Sequence, residues 1–129
     1  MIKIKRIYDP PGSRDGYRIL IDRLWPRGIS KDKARIDEWR KELAPSDRLR
    51  KRFNHEPEKW DEFRQRYHEE LRPKIKEVKE LTQKQRPKTI TLLYGARDEE
   101  HNNAVALKEP LEDLRRSARK SEGNKTKRD

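Results

Sequence analysis

The residues of this chain best suited to chemistry follow a short apolar run at 19–21 (ILI) and read DRLWPRG over residues 22–28. Such a run is typical of a buried strand, and polar side chains just beyond a strand face the crevice at its end. Arginines bind carboxylates and phosphates, a carboxylate can accept or donate a proton, and an indole ring packs against planar groups. The stretch predicts a site for an anionic or planar ligand. Asp22 is its candidate catalytic residue, and its candidate ligand-binding residues are Arg23, Trp25 and Arg27.

A second polar segment, residues 94–103 (YGARDEEHNN), follows the apolar pair 92–93 and precedes a stretch with helical apolar spacing. This order predicts a strand, a turn that contains glycine, and the start of a helix that Asp98 caps. His101 is the candidate acid or base, because an unperturbed histidine titrates at about pH 6.5. The candidate ligand-binding residues of this segment are Tyr94, Arg97 and Asn102.

Each candidate also has a purely structural interpretation. Asp22 beside two arginines is typical of an ion-pair network, and Arg23 and Arg27 suit pairing with nearby carboxylates as well as with a ligand. Trp25, which precedes a proline, is typical of a packing anchor. A buried tyrosine usually bonds to a protein group, and a histidine at a helix start often lies at the surface. Two further histidines on helical segments are interpreted as incidental: His55 and His68.

Three strands are predicted to place these residues at one edge of a sheet. An alternating N-terminal segment extends to residue 8, and continuous apolar runs lie within 17–24 and 89–94. If the strands run parallel, Tyr8, another candidate ligand-binding residue, joins the two polar segments at the carboxyl ends of the strands. The connection from residue 8 to residue 17 is shorter than the roughly 12 residues usual for a parallel crossover, so an antiparallel first pair stays open. We expect an α/β fold with a small, mainly parallel sheet of about three strands.

The middle third of the chain is predicted to be helical, and a further helix near the C terminus is expected to pack on the sheet. Ser30 and Ser46 have the character of N-caps, and Pro57 suits the first turn of a helix. The first helices would carry Ile36, Trp39 and Leu43, and then Leu49 and Phe53. The next presents an apolar stripe: Trp60, Phe63, Tyr67 and Leu71, followed by Ile75, Val78 and Leu81. Pro73 is expected to interrupt this stripe, and Pro110 to end or bend the last helix.

The composition is that of a folded and highly charged single domain. Of 129 residues, 46% are charged and 29% are hydrophobic, yet three tryptophans, four tyrosines and a clear apolar period argue against disorder. A dense surface of Lys, Arg and Glu is typical of thermophile proteins, so a thermophilic source is expected. The chain has no cysteine, which excludes disulfides and thiolate chemistry, and it contains no recognisable signal peptide or membrane span. We expect a cytoplasmic protein without membrane association.

The net charge of +11 is concentrated towards the C terminus. From Arg115 onwards there are seven Lys or Arg residues and two acidic ones, a net charge of +5, in a segment without an apolar period. This pattern predicts one α/β domain over residues 1–116 and a disordered basic tail over residues 117–129. Such a tail could bind nucleic acid through its phosphates, or serve only for solubility, since no aromatic residue interleaves its charges.

Several cofactor and catalytic signatures are absent from the sequence. It has neither the glycine-rich dinucleotide fingerprint nor a P-loop, and none of its serines stands in a nucleophile-elbow context. It has no histidine and carboxylate cluster with the spacing of metal ligands. We therefore predict neither a cofactor nor a metal.

Several short motifs of the chain are distinctive as a set: IYD at 7–9, DGYR at 15–18, DRLWPRG at 22–28, EW at 38–39, LLY at 92–94 and HNNAV at 101–105. With them the chain resembles the YeaO-like group of an uncharacterised domain family, domain of unknown function 488. The resemblance covers about residue 2 to about residue 114 and implies a compact α/β domain, but the family has no established reaction to carry over. Some relatives have histidine where this chain has Asn103, so an imidazole role at that position does not carry over, and His101 either substitutes for it or has no role.

Two hypotheses of function follow from these observations. In the first, the domain binds or transforms a small anionic ligand, a metabolite or a nucleotide, at the carboxyl ends of the strands. Arg23, Arg27 and Arg97 would bind its charge, and His101 would act as acid or base. In the alternative, the protein is a nucleic-acid-associated module that uses a basic face and its tail. Convergence of the strand-end residues on one cavity favours the first, and a continuous stripe of Lys and Arg favours the second.

Overall fold

A four-stranded, fully parallel sheet forms the centre of the protein. The computed structural model describes residues 1–83 and 89–127, with side chains as far as residue 117. The order across the sheet is β1-β4-β2-β3, and all neighbouring strands are parallel. The α/β prediction is therefore confirmed, with one strand more than expected. The strands are β1 (Ile2–Arg6), β2 (Tyr17–Leu20), β3 (Glu38–Trp39) and β4 (Ile90–Tyr94).

The first two strands can run parallel because β4 lies between them. The connection of residues 7–16 has to return along a five-residue strand of about 17 Å, and a segment of that length reaches about 35 Å. Leu92 of β4 pairs with Ile4 of β1 on one side and with Ile19 of β2 on the other. An antiparallel first pair is excluded. The polar segments that follow β1, β2 and β4 consequently lie at the same edge of the sheet.

Both faces of the sheet are covered, which explains the continuous apolar runs of β2 and β4. Ile19 and Leu92 belong to the main core, which they share with the helices of the middle third and the C-terminal helix. Leu20 and Leu93 point to the opposite face and belong to a smaller cluster, which apolar side chains of residues 25–39 close. Strands buried on both sides need apolar residues at successive positions, as the sequence has here.

The prediction of a helix that carries Trp39 and Leu43 is wrong. The first helix, α1 (Lys31–Ala34), is only four residues long. The chain beyond it extends into β3, where Trp39 pairs with Leu20 of β2. Leu43 lies further along in a short 3-10 turn. The segment between the first two predicted helices therefore adds an edge strand to the sheet.

The early end of α1 has a tertiary cause. Ser30 caps the helix as predicted, since its Oγ accepts the amide of Lys33 at 3.2 Å. At the other end, the buried guanidinium of Arg18, on β2, donates to the carbonyls of Ala34 at 2.7 Å and Arg35 at 3.0 Å. A longer helix would need both carbonyls as acceptors for its own amides. The chain instead leaves the helix at Arg35, with a left-handed φ of 45°.

The helical middle third is confirmed. Ser46 caps the second helix, because its Oγ accepts the amide of Leu49 at 3.2 Å. A 3-10 turn that begins at Pro57 leads into the third helix, and another around Pro73 separates the third from the fourth. Pro73 therefore interrupts the long helix where predicted. These helices are α2 (Asp47–Phe53), α3 (Trp60–Leu71) and α4 (Ile75–Gln83).

The last helix, α5 (Asn103–Lys127), packs against β1, β4, α3 and α4. Its N-cap is Asn102, whose Oδ1 accepts an amide of the first turn at 3.0 Å, so the prediction that Asp98 caps this helix is wrong. The helix passes Pro110 without a break. Residues 117–127 continue it, so the segment predicted as a tail begins inside a helix, and its small contribution to stability stays a prediction. Neither α5 nor any other described helix is long and apolar enough to cross a membrane.

Pro110 is accommodated inside α5 because a side chain replaces its missing amide. In a regular helix the N–H of residue 110 would donate to the carbonyl of Ala106. Here that carbonyl lies 2.8 Å from Nε2 of His68, which belongs to α3. A carbonyl can only accept, so Nε2 carries the hydrogen. His68 is therefore a link between two helices, and its interpretation as incidental is wrong.

We expect His68→Ala to lower the free energy of unfolding by about 1–3 kcal/mol, the cost of a buried carbonyl left without a donor. The destabilisation caused by His68→Ala should be smaller in a Pro110→Ala background, because the N–H of an alanine at position 110 can donate to the carbonyl of Ala106. Chemical denaturation of the four proteins in this double-mutant cycle measures the coupling. Arg64→Ala is the control, since Arg64 pairs with Glu109 across the same helices at 3.0 Å and should cost the same in both backgrounds. Equal costs for His68→Ala would exclude this role.

Candidate functional site

A cavity of about 440 Å³ opens at the carboxyl ends of β2 and β4, where the two polar segments meet. Residues 22–27, 95–96 and 101–103 form much of its wall, and side chains from the segment 44–63 close it from the side of the helices. Its volume lies within the range of cavities that bind small molecules. The predicted site residues that line it are Tyr8, Asp22, Arg23, Trp25, Arg27, His101 and Asn102.

Two predicted site residues do not line this cavity. Tyr94, the last residue of β4, is buried in the main core, where burial raises the pKa of its hydroxyl. Arg97 is exposed beyond the end of the strand. The fold thus brings Arg23 and His101 to one cavity without Arg97. Asn102 lines the cavity, but it also has a structural role, since its Oδ1 caps α5 and its Nδ2 bonds to a backbone carbonyl at 2.9 Å.

Asp22 is the one carboxylate among the described residues that line the cavity. Its Oδ2 accepts the amide of Gly95 at 2.8 Å, and its Oδ1 accepts Nδ2 of Asn103 at 3.1 Å. The same Nδ2 bonds to the carbonyl of Ile21 at 3.0 Å, so the first residue of α5 holds the chain just beyond β2. Burial raises the pKa of Asp22, while the two hydrogen bonds and the positive charge of Arg50 act in the opposite direction.

The position of Asp22 depends on two more neighbours. Nε1 of Trp39 donates to the Asp22 carbonyl at 2.7 Å and fixes its backbone to β3. Gly95 leaves space for the carboxylate, because a Cβ at that residue would lie 2.9 Å from Oδ2 of Asp22. In the part of the chain that the structure describes, no lysine or arginine forms a salt bridge with Asp22. Asp22 is therefore not part of an ion-pair network of the described residues, as its alternative interpretation would require.

Three arginines contribute positive charge to the cavity: Arg23, Arg27 and Arg50. Arg23 and Arg50 both contact Oδ1 of the exposed Asp47, at 3.8 and 3.4 Å. Nε of Arg23 also donates to the carbonyl of Pro45 at 3.3 Å. Exposed ion pairs of this kind are weak, so the terminal nitrogens of Arg23 and the guanidinium of Arg50 remain available to an anion. Arg27 forms no salt bridge within the described residues, and its carbonyl accepts the hydroxyl of Tyr8 at 2.7 Å.

His101 is oriented by a carboxylate. Its Nδ1 lies 2.9 Å from Oδ2 of Asp98, and the other oxygen of Asp98 accepts the amides of Glu100 and His101. The Glu100 amide, together with the side chain and amide of His101, holds the pKa of Asp98 below its usual value. The imidazole also contacts Trp60, with 5.3 Å between ring centroids. Because Nδ1 is engaged, Nε2 is the ring nitrogen left to exchange a proton or hydrogen bond with a ligand.

Aromatic side chains make up part of the cavity wall. Phe53 and Phe63 both line it, and their rings stack with centroids 4.5 Å apart. Trp25 lies edge-on to Trp39 at 5.5 Å and donates Nε1 to the carbonyl of Ile29 at 2.8 Å, so it also serves as a packing anchor. The cavity therefore combines apolar aromatic surface with cationic groups, which suits a ligand that has both a planar or apolar part and an anionic group.

Sequence reasoning missed four polar or backbone-permissive positions of the cavity: Arg50, His55, Gly95 and Asn103. Arg50 lies on α2 and His55 just after it, with a left-handed φ of 55°. No sequence signal connects them with the strand ends, because only the packing of α2 over the sheet brings them there. The interpretation of His55 as incidental is not supported. Gly95 and Asn103 lie within the polar segment 94–103. The preference of glycine for turns was the sequence signal that could have indicated Gly95.

The fold and this cavity define a class of protein: a small α/β domain with a candidate ligand site at the carboxyl ends of parallel strands. No group of three or more His, Cys, Asp or Glu side chains in residues 1–83 and 89–117 is placed to hold a metal ion. The family model DUF488-N3i, described as the inactive DUF488-N3 subclade, matches residues 1–127. The chain belongs to this family, which confirms the resemblance drawn from its motifs.

Two relatives of the chain have names that state no activity. It is 45% identical over 113 residues to the Uncharacterized protein YeaO of Escherichia coli (strain K12), with 88% of this chain and 98% of YeaO covered. It is 37% identical over 112 residues to the Uncharacterized protein Rv3073c of Mycobacterium tuberculosis (strain ATCC 25618 / H37Rv), with 85% and 92% covered. No solved structure matches the chain. Because a fold alone does not define a function, the residues of the cavity are the basis for one.

Proposed function

We propose that the domain binds a small anionic ligand, a metabolite or a nucleotide, in the cavity at the carboxyl ends of the strands. The observation that carries this proposal is the convergence of Arg23, Arg27 and Arg50 on one cavity of about 440 Å³. Guanidinium groups bind phosphate and carboxylate through paired, charge-assisted hydrogen bonds. A concave site with an excess of positive charge, here three arginines against the one carboxylate of Asp22, attracts an anion more strongly than an isolated surface residue does.

The proposal concerns binding and does not require turnover. His101, oriented by Asp98, and the partly buried Asp22 are groups that could exchange protons with a bound ligand. The matched subclade is described as inactive, which favours a binding role over catalysis. The stacked rings of Phe53 and Phe63 would pack against an apolar or planar part of the ligand.

Arg27→Gln and Arg50→Gln should each weaken the binding of inorganic phosphate, pyrophosphate or AMP about tenfold or more, through the loss of one charge-assisted hydrogen bond. Arg48→Gln is the matched control, because Arg48 is an exposed arginine of the same helix as Arg50 and does not line the cavity. Isothermal titration calorimetry measures the affinities, and thermal unfolding verifies the fold. The proposal fails if none of the three probes binds the wild-type protein, or if Arg27→Gln and Arg50→Gln both bind like wild type.

The same variants separate this proposal from the nucleic-acid alternative. A basic face or tail would bind oligonucleotides independently of sequence and with a steep dependence on salt. Arg48→Gln would then weaken binding as much as Arg50→Gln, and removal of residues 117–129 would reduce the salt dependence. Oligonucleotide binding of that kind, without binding of the small anions, would favour the alternative.

A further inference from the structure

Asp22 has hydrogen-bonding capacity that its protein neighbours do not use. A carboxylate has about four lone-pair positions. The amide of Gly95 occupies one on Oδ2, and Nδ2 of Asn103 occupies one on Oδ1. Both donors come from the segment that runs from β4 into α5, and no other described group donates to this carboxylate. Since Asp22 lines the cavity, a bound ligand can meet its remaining acceptor positions.

The arginines of the same cavity do not neutralise Asp22 by contact. Arg23 and Arg50 contact Oδ1 of Asp47 instead, at 3.8 and 3.4 Å. The charge of Arg50 nevertheless acts on Asp22, so the two groups are near enough to influence the same ligand. An anion held by these arginines would share the cavity with a carboxylate. Two negatively charged oxygens repel each other unless a hydrogen lies between them.

We propose that Asp22 selects oxyanions that keep a hydrogen on one of their own oxygens. This inference rests on the proposed anion-binding function and adds the specificity of the same site. The class comprises inorganic phosphate and phosphate monoesters in their singly charged form, and it excludes sulfate. Asp22 accepts the hydrogen of the anion, and the arginines bind its other oxygens.

Phosphate and sulfate are a stringent pair of probes for this selection. Both are tetrahedral oxyanions of similar size and charge, and at neutral pH phosphate has a hydroxyl that sulfate lacks. A site whose polar group pairs with a ligand hydroxyl discriminates strongly against the analogue without it. One charge-assisted hydrogen bond corresponds to about a ten- to a hundredfold difference in affinity.

The experiment is a titration of the full chain with sodium phosphate and, separately, with sodium sulfate at matched ionic strength and neutral pH, followed by ¹H–¹⁵N NMR. The amide of Gly95 is a direct reporter, because it donates to Oδ2 of Asp22. Wild type should bind phosphate about ten- to a hundredfold more tightly than sulfate. Phenyl phosphate at about pH 6, where a large part of it is singly charged, tests whether esters share the preference with free phosphate.

Asp22→Asn should abolish the preference, because the amide no longer repels sulfate and can donate to it. Asp47→Asn is the matched control, since Asp47 contacts the same arginines but does not line the cavity. This control should strengthen the binding of both anions and leave their ratio unchanged. If Asp22→Asn does not fold, the wild-type protein still tests the proposal, because equal binding of phosphate and sulfate would overturn it.

The outcomes separate this inference from the proposed function on which it rests. Equal binding of phosphate and sulfate by wild type would overturn the selection by Asp22 and leave anion binding in place. A phosphate preference that persists in Asp22→Asn would overturn it as well, because another group would then be the selector. Binding of neither anion, nor of phenyl phosphate, would overturn both. A preference in wild type that is lost in Asp22→Asn and kept in Asp47→Asn would establish it.

Discussion

Phe63→Ala is expected to lower the free energy of unfolding by about 3–5 kcal/mol. The ring stacks on Phe53 with 4.5 Å between centroids and contacts Trp60 and Tyr67 at 5.7 and 5.9 Å. Its removal leaves a cavity between helices whose backbones are held by other contacts, so the site can collapse only in part. Urea denaturation at constant pH measures the loss.

Two further variants make this result interpretable. Leu71→Ala should cost about 2–5 kcal/mol and is a second test of the same stripe, because Leu71 is buried but does not line the ligand cavity. Ile75→Ala is the control, since Ile75 continues the predicted stripe but is 43% exposed, and should cost less than about 1 kcal/mol. Nearly neutral values for Phe63→Ala and Leu71→Ala would show that this face is not part of the core.

The second large effect is expected for Asp15→Asn, which should cost about 3–5 kcal/mol because it leaves Arg18 as an uncompensated buried charge. Asp15 and Arg18 are only 3% and 5% exposed and form a salt bridge, which Lys5 joins at 3.1 Å. Arg18 also holds the end of α1 through the carbonyls of Ala34 and Arg35. The loss of its carboxylate partner should therefore loosen α1 as well as the sheet. Chemical denaturation measures the cost, and hydrogen exchange locates it.

Asp113→Asn is the control for this prediction. Asp113 and Arg116 are three residues apart in sequence, as Asp15 and Arg18 are, and they form a salt bridge at 2.8 Å. Asp113, however, is 73% exposed. Surface pairs of this kind contribute about 0–1 kcal/mol. Similar costs for Asp15→Asn and Asp113→Asn would show that burial of the Asp15 pair has no energetic consequence.

The pH dependence of stability offers an independent measurement of the same pair. Burial alone would raise the pKa of Asp15, but hydrogen bonds from the Gly12 amide, Lys5 and Arg18 hold it below its ordinary value of 3.8. A lowered pKa in the folded state means that this carboxylate stabilises the protein above pH 3.8 and that its contribution is lost as the pH falls further. Wild type should therefore lose more stability than Asp15→Asn between neutral pH and acid below pH 3.8.

The parts of the fold that were predictable depend on local chemistry. The hydroxyl groups of Ser30 and Ser46 accept the amide hydrogens of residues three positions further along the chain. Pro73 has no amide hydrogen to donate. The helix caps and the helix break therefore follow from residues that are close together in the sequence. The apolar runs of β2 and β4 likewise predicted strands covered on both faces. Interactions within one turn or one strand can be predicted without knowing how the helices and strands pack together.

Two of the wrong predictions share a different cause. The helix expected to reach Leu43 ends at Arg35 because Arg18, distant in sequence, engages its last carbonyls. Pro110 was expected to end or bend its helix, and the helix continues because His68 of α3 supplies the missing donor. In both cases a side chain from another element replaces or occupies a backbone hydrogen bond, which no local pattern reveals.

The residues of the candidate site likewise fall into those that the sequence indicated and those that only the packing of the chain placed there. The sequence by itself determined that Asp22, Arg23, Arg27 and His101 lie in the segments that follow strands, because apolar runs and turn residues mark where those segments begin. Only the tertiary structure decided that β4 lies between β1 and β2, and that Arg50 joins the cavity while Arg97 does not. Strand order and helix docking depend on the burial of apolar faces over the whole domain, and burial is a property of the packed chain that no single segment contains.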